Sequence, residues 1–162
     1  MSLSKTYSFS SERLTYRGIT HNDAQRIVKW RNDPKNYENF LDPKPITLES
    51  HLSWFEIYLE DETRFDFMIF LKDVPIGTCG LSDITPDSCE ANYMIGEVSS
   101  RGNGYATETL KTLIDVAFNE LQVEDVYCRI LKHNVASVHV AEAAGMKCSE
   151  YLFSYKANAG VC

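Results

Sequence analysis

Arg101, Gly102, Asn103 and Gly104 stand in a row, followed by Tyr105 and Ala106. Glycines let a backbone adopt positive φ and let a ligand approach it closely. If a helix begins there, its first turn has N–H groups without intrahelical partners and carries the positive end of the helix dipole. Arg101 adds a fixed positive charge at the mouth. The chemistry such a turn supports is anion binding, most naturally of a phosphate or pyrophosphate. Gly-x-Gly turns also join strands to helices with no ligand, so the spacing has to decide. A P-loop needs Gly-Lys-Ser/Thr, which is absent. A dinucleotide turn needs a third glycine, where this chain has Thr107.

The flanking elements must aim that turn. Before it, Cys89 to Val98 runs through Ala91, Tyr93, Met94, Ile95 and Val98 and reads as a buried strand. After it, Ala106, Leu110, Leu113, Ile114, Ala117, Phe118 and Leu121 recur at three- and four-residue steps, the period of a helix. Val123 to Leu131 reads as a strand, Asn134 to Ser137 opens a short helix, and Gly145-Met146 follows. Upstream, Arg13 to Ile19 reads as a strand. Thr20 with Asp23 starts a helix that stops before Pro34, and residues 34–46, with three prolines, read as a loop. Thr47 caps a second helix with His51, Trp54, Phe55, Tyr58 and Leu59 on one stripe. Phe65–Leu71 and Pro75–Leu81 read as a hairpin around Lys72-Asp73-Val74. The order is strand, two helices, three strands, helix, strand, helix, strand. That predicts an α/β (α+β) fold: one mixed, mostly antiparallel sheet flanked by helices.

Arg-x-x-Gly-x-Ala at 101–106, with Asn134-x-x-Ser137 and Gly145-Met146 at the right distances, resembles the GNAT superfamily of acetyltransferases, Met146 standing for the usual Phe. The resemblance covers nearly the whole chain and is strongest from Cys89 to Met146. It implies the GNAT fold, with its fourth and fifth strands splayed, in a single domain over residues 1–162, and acetyl-coenzyme A as co-substrate. By that likeness the cofactor is held by Ile95, Gly96, Val98, Arg101, Gly102, Asn103, Gly104, Tyr105, Ala106, Asn134 and Ser137. A bulge near Gly96 would offer a backbone N–H to the thioester oxygen.

Composition sets further bounds. A chain of 162 residues is long enough for one domain with a real core. A net charge of −7 speaks against a nucleic-acid partner, which needs a basic face. No apolar run reaches the ~18 residues of a membrane span. No signal peptide is visible, Met1-Ser2-Leu3 resembles an expression scar, and the expected location is the cytoplasm. Cys79, Cys89, Cys128, Cys148 and Cys162 form no Cys-x-x-Cys pair, so buried thiols are expected rather than disulfides or a metal site. Tyr151, Phe153 and Tyr155 alternate as one strand would. GNAT proteins usually end in two, so the second should be very short, missing, or lent by another subunit in a homodimer.

Transfer to an amine needs a neutral nucleophile and a proton for the leaving thiolate. Many GNAT proteins carry a Tyr seven residues after the Asn, where this chain has Ala141. Ser137 or a water then becomes the candidate acid, although Ser137 can equally be a helix-start hydroxyl. Among His51, Glu56, Asp83, Glu90 and Glu97, His51 is the best candidate base, because its reference pKa near 6.5 suits neutral pH. Glu97 and Glu90 can act through water. Trp30-Arg31-Asn32-Asp33 and His51-Leu52-Ser53-Trp54-Phe55 resemble the corresponding segments of bacterial amino-sugar N-acetyltransferases, notably the one that acts on the 4-amino group of a UDP-linked sugar in pseudaminic acid synthesis. That implies substrate contacts from Trp30, Arg31, His51 and Trp54, although both tryptophans can equally be core anchors. Two alternatives are an N-terminal acetyltransferase similar to those acting on ribosomal proteins, and a non-catalytic acetyl-coenzyme A sensor.

Overall fold

The structure is a computed structural model that describes residues 3–38, 40–149 and 152–156. A three-residue strand β1 (Ser8–Ser10) precedes β2 (Leu14–Gly18). Thr20 then opens a short 3-10 turn, its backbone N–H donating to Asp23 Oδ2 (2.7 Å), and the chain continues into α1 (Ala24–Asn32). Pro34 does stop α1, but with its φ preset it also starts a one-turn helix α2 (Pro34–Tyr37), where a loop was expected. Asp33 caps that turn by accepting from the Lys35 N–H (3.0 Å). Thr47 caps α3 (Leu48–Glu60) as expected, accepting from the Ser50 N–H (3.0 Å). On α3, His51, Phe55 and Tyr58 face inward and Trp54 is half-buried; Leu59 is exposed and lies off the stripe.

The hairpin is β3 (Phe65–Leu71) and β4 (Val74–Ser82). Lys72 (φ 48°) and Asp73 (φ 65°) both take left-handed conformations, the geometry of a tight two-residue hairpin turn. The central strand β5 (Ser88–Ile95) ends earlier than its apolar run suggests, because Val98–Ser100 coils into a 3-10 turn. Then come α4 (Tyr105–Val116), widening into a π-helical turn over Ala117–Leu121, β6 (Asp125–Arg129) and α5 (Val135–Ala143). The chain supplies two closing strands of its own, the very short β7 (Lys147–Ser149) and β8 (Leu152–Lys156). Tyr151 and Cys162 lie outside the described residues.

Among the described residues the strands make one eight-stranded sheet in the order β1-β2-β3-β4-β5-β6-β8-β7. Every neighbouring pair is antiparallel except β5–β6. That parallel pair is in register only at Ser88↔Asp125, Cys89↔Val126 and Glu90↔Tyr127. Beyond Glu90, β5 runs on to Ile95 without β6, so the strands splay as the resemblance implies. The sheet separates two apolar layers. On one face Ala91, Ile95 and Val126 pack with Leu110, Leu113 and Ile114 of α4. On the other, Met68 packs with Ile27 and Trp30 of α1 and Phe55 and Tyr58 of α3. Alternation along β5 sends Tyr93 to the first face and Met94 to the second.

Candidate active site

A cleft of about 980 Å³ passes through the splay, from the glycine turn before α4 to the inner side of α3. Its form follows from the backbone of β5. Ala91 O accepts from Cys128 Sγ (3.2 Å) and Ile95 O from Arg101 Nε (3.2 Å), so these residues turn their peptide groups away from β4. By alternation Tyr93 does the same. The N–H groups of Tyr93 and Ile95 therefore face the gap, where a pantetheine carbonyl or thioester oxygen can accept from them. One step further, Gly77↔Ile95 would put Ile76 opposite Gly96, but it is the Glu97 N–H that reaches Ile76 O (3.0 Å). Gly96 is thus the extra residue of a bulge. A Cβ there would come within 2.3 Å of the Trp30 ring, so glycine is what lets the bulge close on the indole.

The turn before α4 has the shape of an anion cradle. Gly102 and Gly104 both have φ of 79°. A Cβ on Gly102 would meet nothing within 4 Å, so the surface above it is open to a ligand. The first helical bond is Glu108 N–H to Gly104 O (3.1 Å), which leaves the N–H groups of Tyr105 to Thr107 at the helix entrance. Two braces hold the turn. The Glu108 carboxylate accepts from Ser11 Oγ (2.6 Å), the Arg13 N–H (2.7 Å) and Arg13 Nε (2.7 Å), and Arg13 Nη1 reaches Asn103 O (2.8 Å). Arg101, read from sequence as a charge at the mouth, folds back instead. It donates to Ile95 O, Lys35 O (3.3 Å) and Asn36 Oδ1. Asn36, buried on α2, donates in turn to Trp30 O (2.9 Å) and Gly96 O (3.3 Å). Arg13, Asn36 and Glu108 were invisible as site residues because the partners that tie them to the turn and the bulge lie 60 to 97 positions away.

The expected cofactor residues divide cleanly. Ile95, Arg101, Gly102, Gly104, Tyr105, Ala106, Asn134 and Ser137 line the cleft. Gly96 and Asn103 lie behind it as bulge and brace, and Val98 faces solvent on the outer turn. The Asn134 side chain caps α5, its Oδ1 accepting from the Ser137 N–H (3.2 Å). The cradle, the splay and the cleft volume fit acetyl-coenzyme A.

The end of the cleft away from the glycine turn is built by α1, α2 and α3. His51 lines it with 6% of its surface exposed, and Nε2 has no hydrogen-bond partner among the described residues. Burial, and next the Arg31 charge, hold its pKa below the ordinary value. Arg31 also lines the cleft; its guanidinium sits 5.1 Å from the Phe40 ring, and its Nε is buried without a partner among the described residues. Trp54 stands 5.4 Å from His51, ring to ring. Trp30 is placed otherwise. It is 3% exposed, backs Gly96, and donates Nε1 to Glu97 Oε1 (2.9 Å). It supports the bulge instead of meeting an acceptor, and Glu97, engaged by it, does not line the cleft. Glu56 pairs with His21 on the surface (2.7 Å). Glu90 does line the cleft, held by Arg129 (2.7 Å) where the splay begins.

Residues 13–147 match the family model described as an acetyltransferase (GNAT) domain. An uncharacterized protein of Methanocaldococcus jannaschii is 26% identical over 140 residues, which is 83% of this chain but 28% of that protein's length. Acetyltransferase PseH of Campylobacter jejuni is 28% identical over 117 residues, covering 72% of this chain and 71% of PseH. Among solved structures, aminoglycoside acetyltransferase AAC(6')-Ib in complex with coenzyme A and kanamycin superposes with a TM-score of 0.79 at 17% identity, over 89% of this chain and 95% of that one.

Proposed function

We propose, from the premise that this chain belongs to the acetyltransferase (GNAT) family and is an acetyl-coenzyme A-dependent acyltransferase, that its acceptor is the primary amine of a nucleotide-linked amino sugar, with the 4-amino group of a UDP-sugar as first choice. The observation that carries this reading is the pairing of Arg31 with aromatic surface at the acceptor end. A guanidinium with an unused buried Nε needs an acceptor oxygen. A diphosphate offers it bidentate geometry, and Phe40 and Trp54 offer faces to a base or sugar ring. The likeness to PseH supports the same choice.

In this reading residues 1–162 act as one domain. The turn at Gly102–Ala106 holds the pyrophosphate. The N–H groups of β5 align the thioester and stabilise the oxyanion. His51, kept neutral by its surroundings, takes the surplus proton of the amine. Buried thiols at Cys79, Cys89 and Cys128 suit a reducing cytoplasm, where a monomer or homodimer would meet its small-molecule acceptor. The test is a panel of UDP-linked amino sugars, aminoglycosides and N-terminal peptides, read as free thiol released from acetyl-coenzyme A. The reading stands if a UDP-amino sugar has the highest kcat/KM and Arg31→Ala raises its KM. It falls if a peptide or an uncharged amine is turned over as well.

A further inference from the structure

A tyrosine that the sequence pattern marks only as strand core stands in the opened part of the splay. Tyr93 lies three residues beyond Glu90, the last β5 residue with a β6 partner, and lines the cleft. Its hydroxyl is buried and makes no hydrogen bond of normal geometry among the described residues. Stranding a buried polar group is unfavourable. A phenol left so in a cleft wall signals that a ligand atom completes it.

The opposite wall shows which atom. Ser137 of α5 lines the same cleft; burial raises the pKa of the Tyr93 phenol, and the Ser137 hydroxyl is the next influence on it, in the lowering direction. Ser137 and Ala141 are one helical turn apart and share a face. Ala141 is where the resembled family carries its tyrosine, and it is fully buried (0% exposed). A small residue there leaves room on that face for a large ring from β5. We propose that the Tyr93 hydroxyl donates a proton to the thiolate of coenzyme A as it leaves, so that the acid comes from the central strand and not from the helix.

The step balances. The amine nitrogen attacks the thioester carbonyl and a C–N bond forms. The C–S bond breaks and its electron pair stays on sulfur. The phenol O–H breaks as S–H forms. The tyrosinate regains a proton from solvent through the Ser137 hydroxyl, and the surplus proton of the amine leaves through His51 or water. Proton affinities support the transfer. Burial pushes the Tyr93 phenol up to about 12, so it is protonated at neutral pH. A free thiol ionises near 8.5, a poor match. Yet burial also raises the Cys128 thiol, in the same wall, to about 12. A thiolate formed against that wall is likewise poorly solvated, which favours its taking the proton.

The proposal rests on the acetyl transfer and not on the choice of acceptor, so its decisive test uses coenzyme A alone. Bound to the full chain, coenzyme A is titrated by the ultraviolet absorbance of its thiolate. The protein without coenzyme A is titrated in parallel, so that its own thiols, Cys79, Cys89, Cys128 and Cys148 among them, are subtracted. The phenol stabilises the neighbouring thiolate, so Tyr93→Phe should raise the apparent pKa of the bound thiol by about one unit or more, with coenzyme A affinity at pH 7 within twofold of wild type. With any accepted amine, kcat should fall about 10²-fold with little change in the KM for acetyl-coenzyme A. Ser137→Ala, which spares the phenol, should leave the thiol pKa in place. An unchanged thiol pKa in a Tyr93→Phe protein that binds coenzyme A overturns the proposal, and so does an undiminished kcat. Failure of UDP-amino sugars as acceptors touches neither result.

Discussion

His51 shows what a side chain gains from its surroundings. An exposed histidine is half protonated near pH 6.5. Here burial, and then the Arg31 charge, favour the neutral ring, which is the form a base must have. We therefore expect kcat/KM to hold its plateau below pH 6.5 and to fall only in more acid solution. His51→Ala should lower it by about 10²-fold and leave acetyl-coenzyme A affinity in place. His51→Gln should keep part of the rate if the ring only hydrogen-bonds the sugar. The same shift has a stability consequence. The folded value lies below the unfolded one, so the unfolded chain takes up the proton first as pH falls. The contribution is neutral above pH 6.5 and becomes a loss below it. Urea midpoints at pH 5 and 7.5 for wild type and His51→Ala check this: the alanine variant should lose less on acidification. Lost stability with intact kcat/KM would make His51 a packing residue. The stripe of apolar residues around His51 is legible in the sequence. The unused Nε2, like the unused hydroxyl of Tyr93, is not, because residue type fixes donors and acceptors but not whether a partner arrives.

Elements with many repeats of their period are legible; those too short to repeat are not. α3 and α4 each show an apolar stripe over three turns, and the Lys72-Asp73 hairpin carries its turn signal in place. β1, α2 and β7, of three or four residues, have no period to read and exist because neighbours hold them. The end of β5 shows the limit most sharply. Apolar residues continue to Val98, but the Gly96 bulge on Trp30 and the turn at Val98–Ser100 end the strand at Ile95. The glycine turn was legible because two left-handed residues at a helix entrance require glycine or something close to it. Gly104→Val should therefore act twice. At φ 79° a side chain costs about 1–2 kcal/mol, and a branched one narrows the cradle. Isothermal titration should show acetyl-coenzyme A affinity at least about tenfold weaker in a folded protein, roughly 1.4 kcal/mol. Unchanged affinity would remove the pyrophosphate from this turn. Glu108→Ala should weaken binding less and only indirectly, since it frees Arg13 without filling the cradle.

At the scale of the whole molecule, one short parallel seam joins two blocks of sheet. β1 to β5, with α1 and α3, carry the side of the cleft with His51 and Arg31; β6, β8 and β7, with α5, carry the far wall. Cleft and seam are parts of one design, because the gap opens where the register stops. Glu90 marks that point. It is 6% exposed, and its carboxylate takes two donors from Arg129, Nε at 3.0 Å and Nη2 at 2.7 Å. Arg129 is half exposed and also stands 3.6 Å from Asp83, so the guanidinium has solvent and a second anion to fall back on, whereas Glu90 has little besides it. The two truncations should then differ. Arg129→Ala leaves a buried carboxylate without its donors at the seam and should destabilise the chain by about 1–3 kcal/mol, with the urea m-value unchanged. Glu90→Gln removes the stranded charge and leaves Arg129 to water and Asp83, so its loss should be smaller. Combined with Arg129→Ala it should recover part of that variant's loss, a coupling that adding the single effects would miss. Because the seam sets where the gap begins, Arg129→Ala should also weaken coenzyme A binding, whereas a change in α3 such as His51→Ala should not. Equal losses for both single variants, adding without coupling, would mean that the seam does not depend on this pair and that the splay is fixed by the packing of α4 and α5 alone.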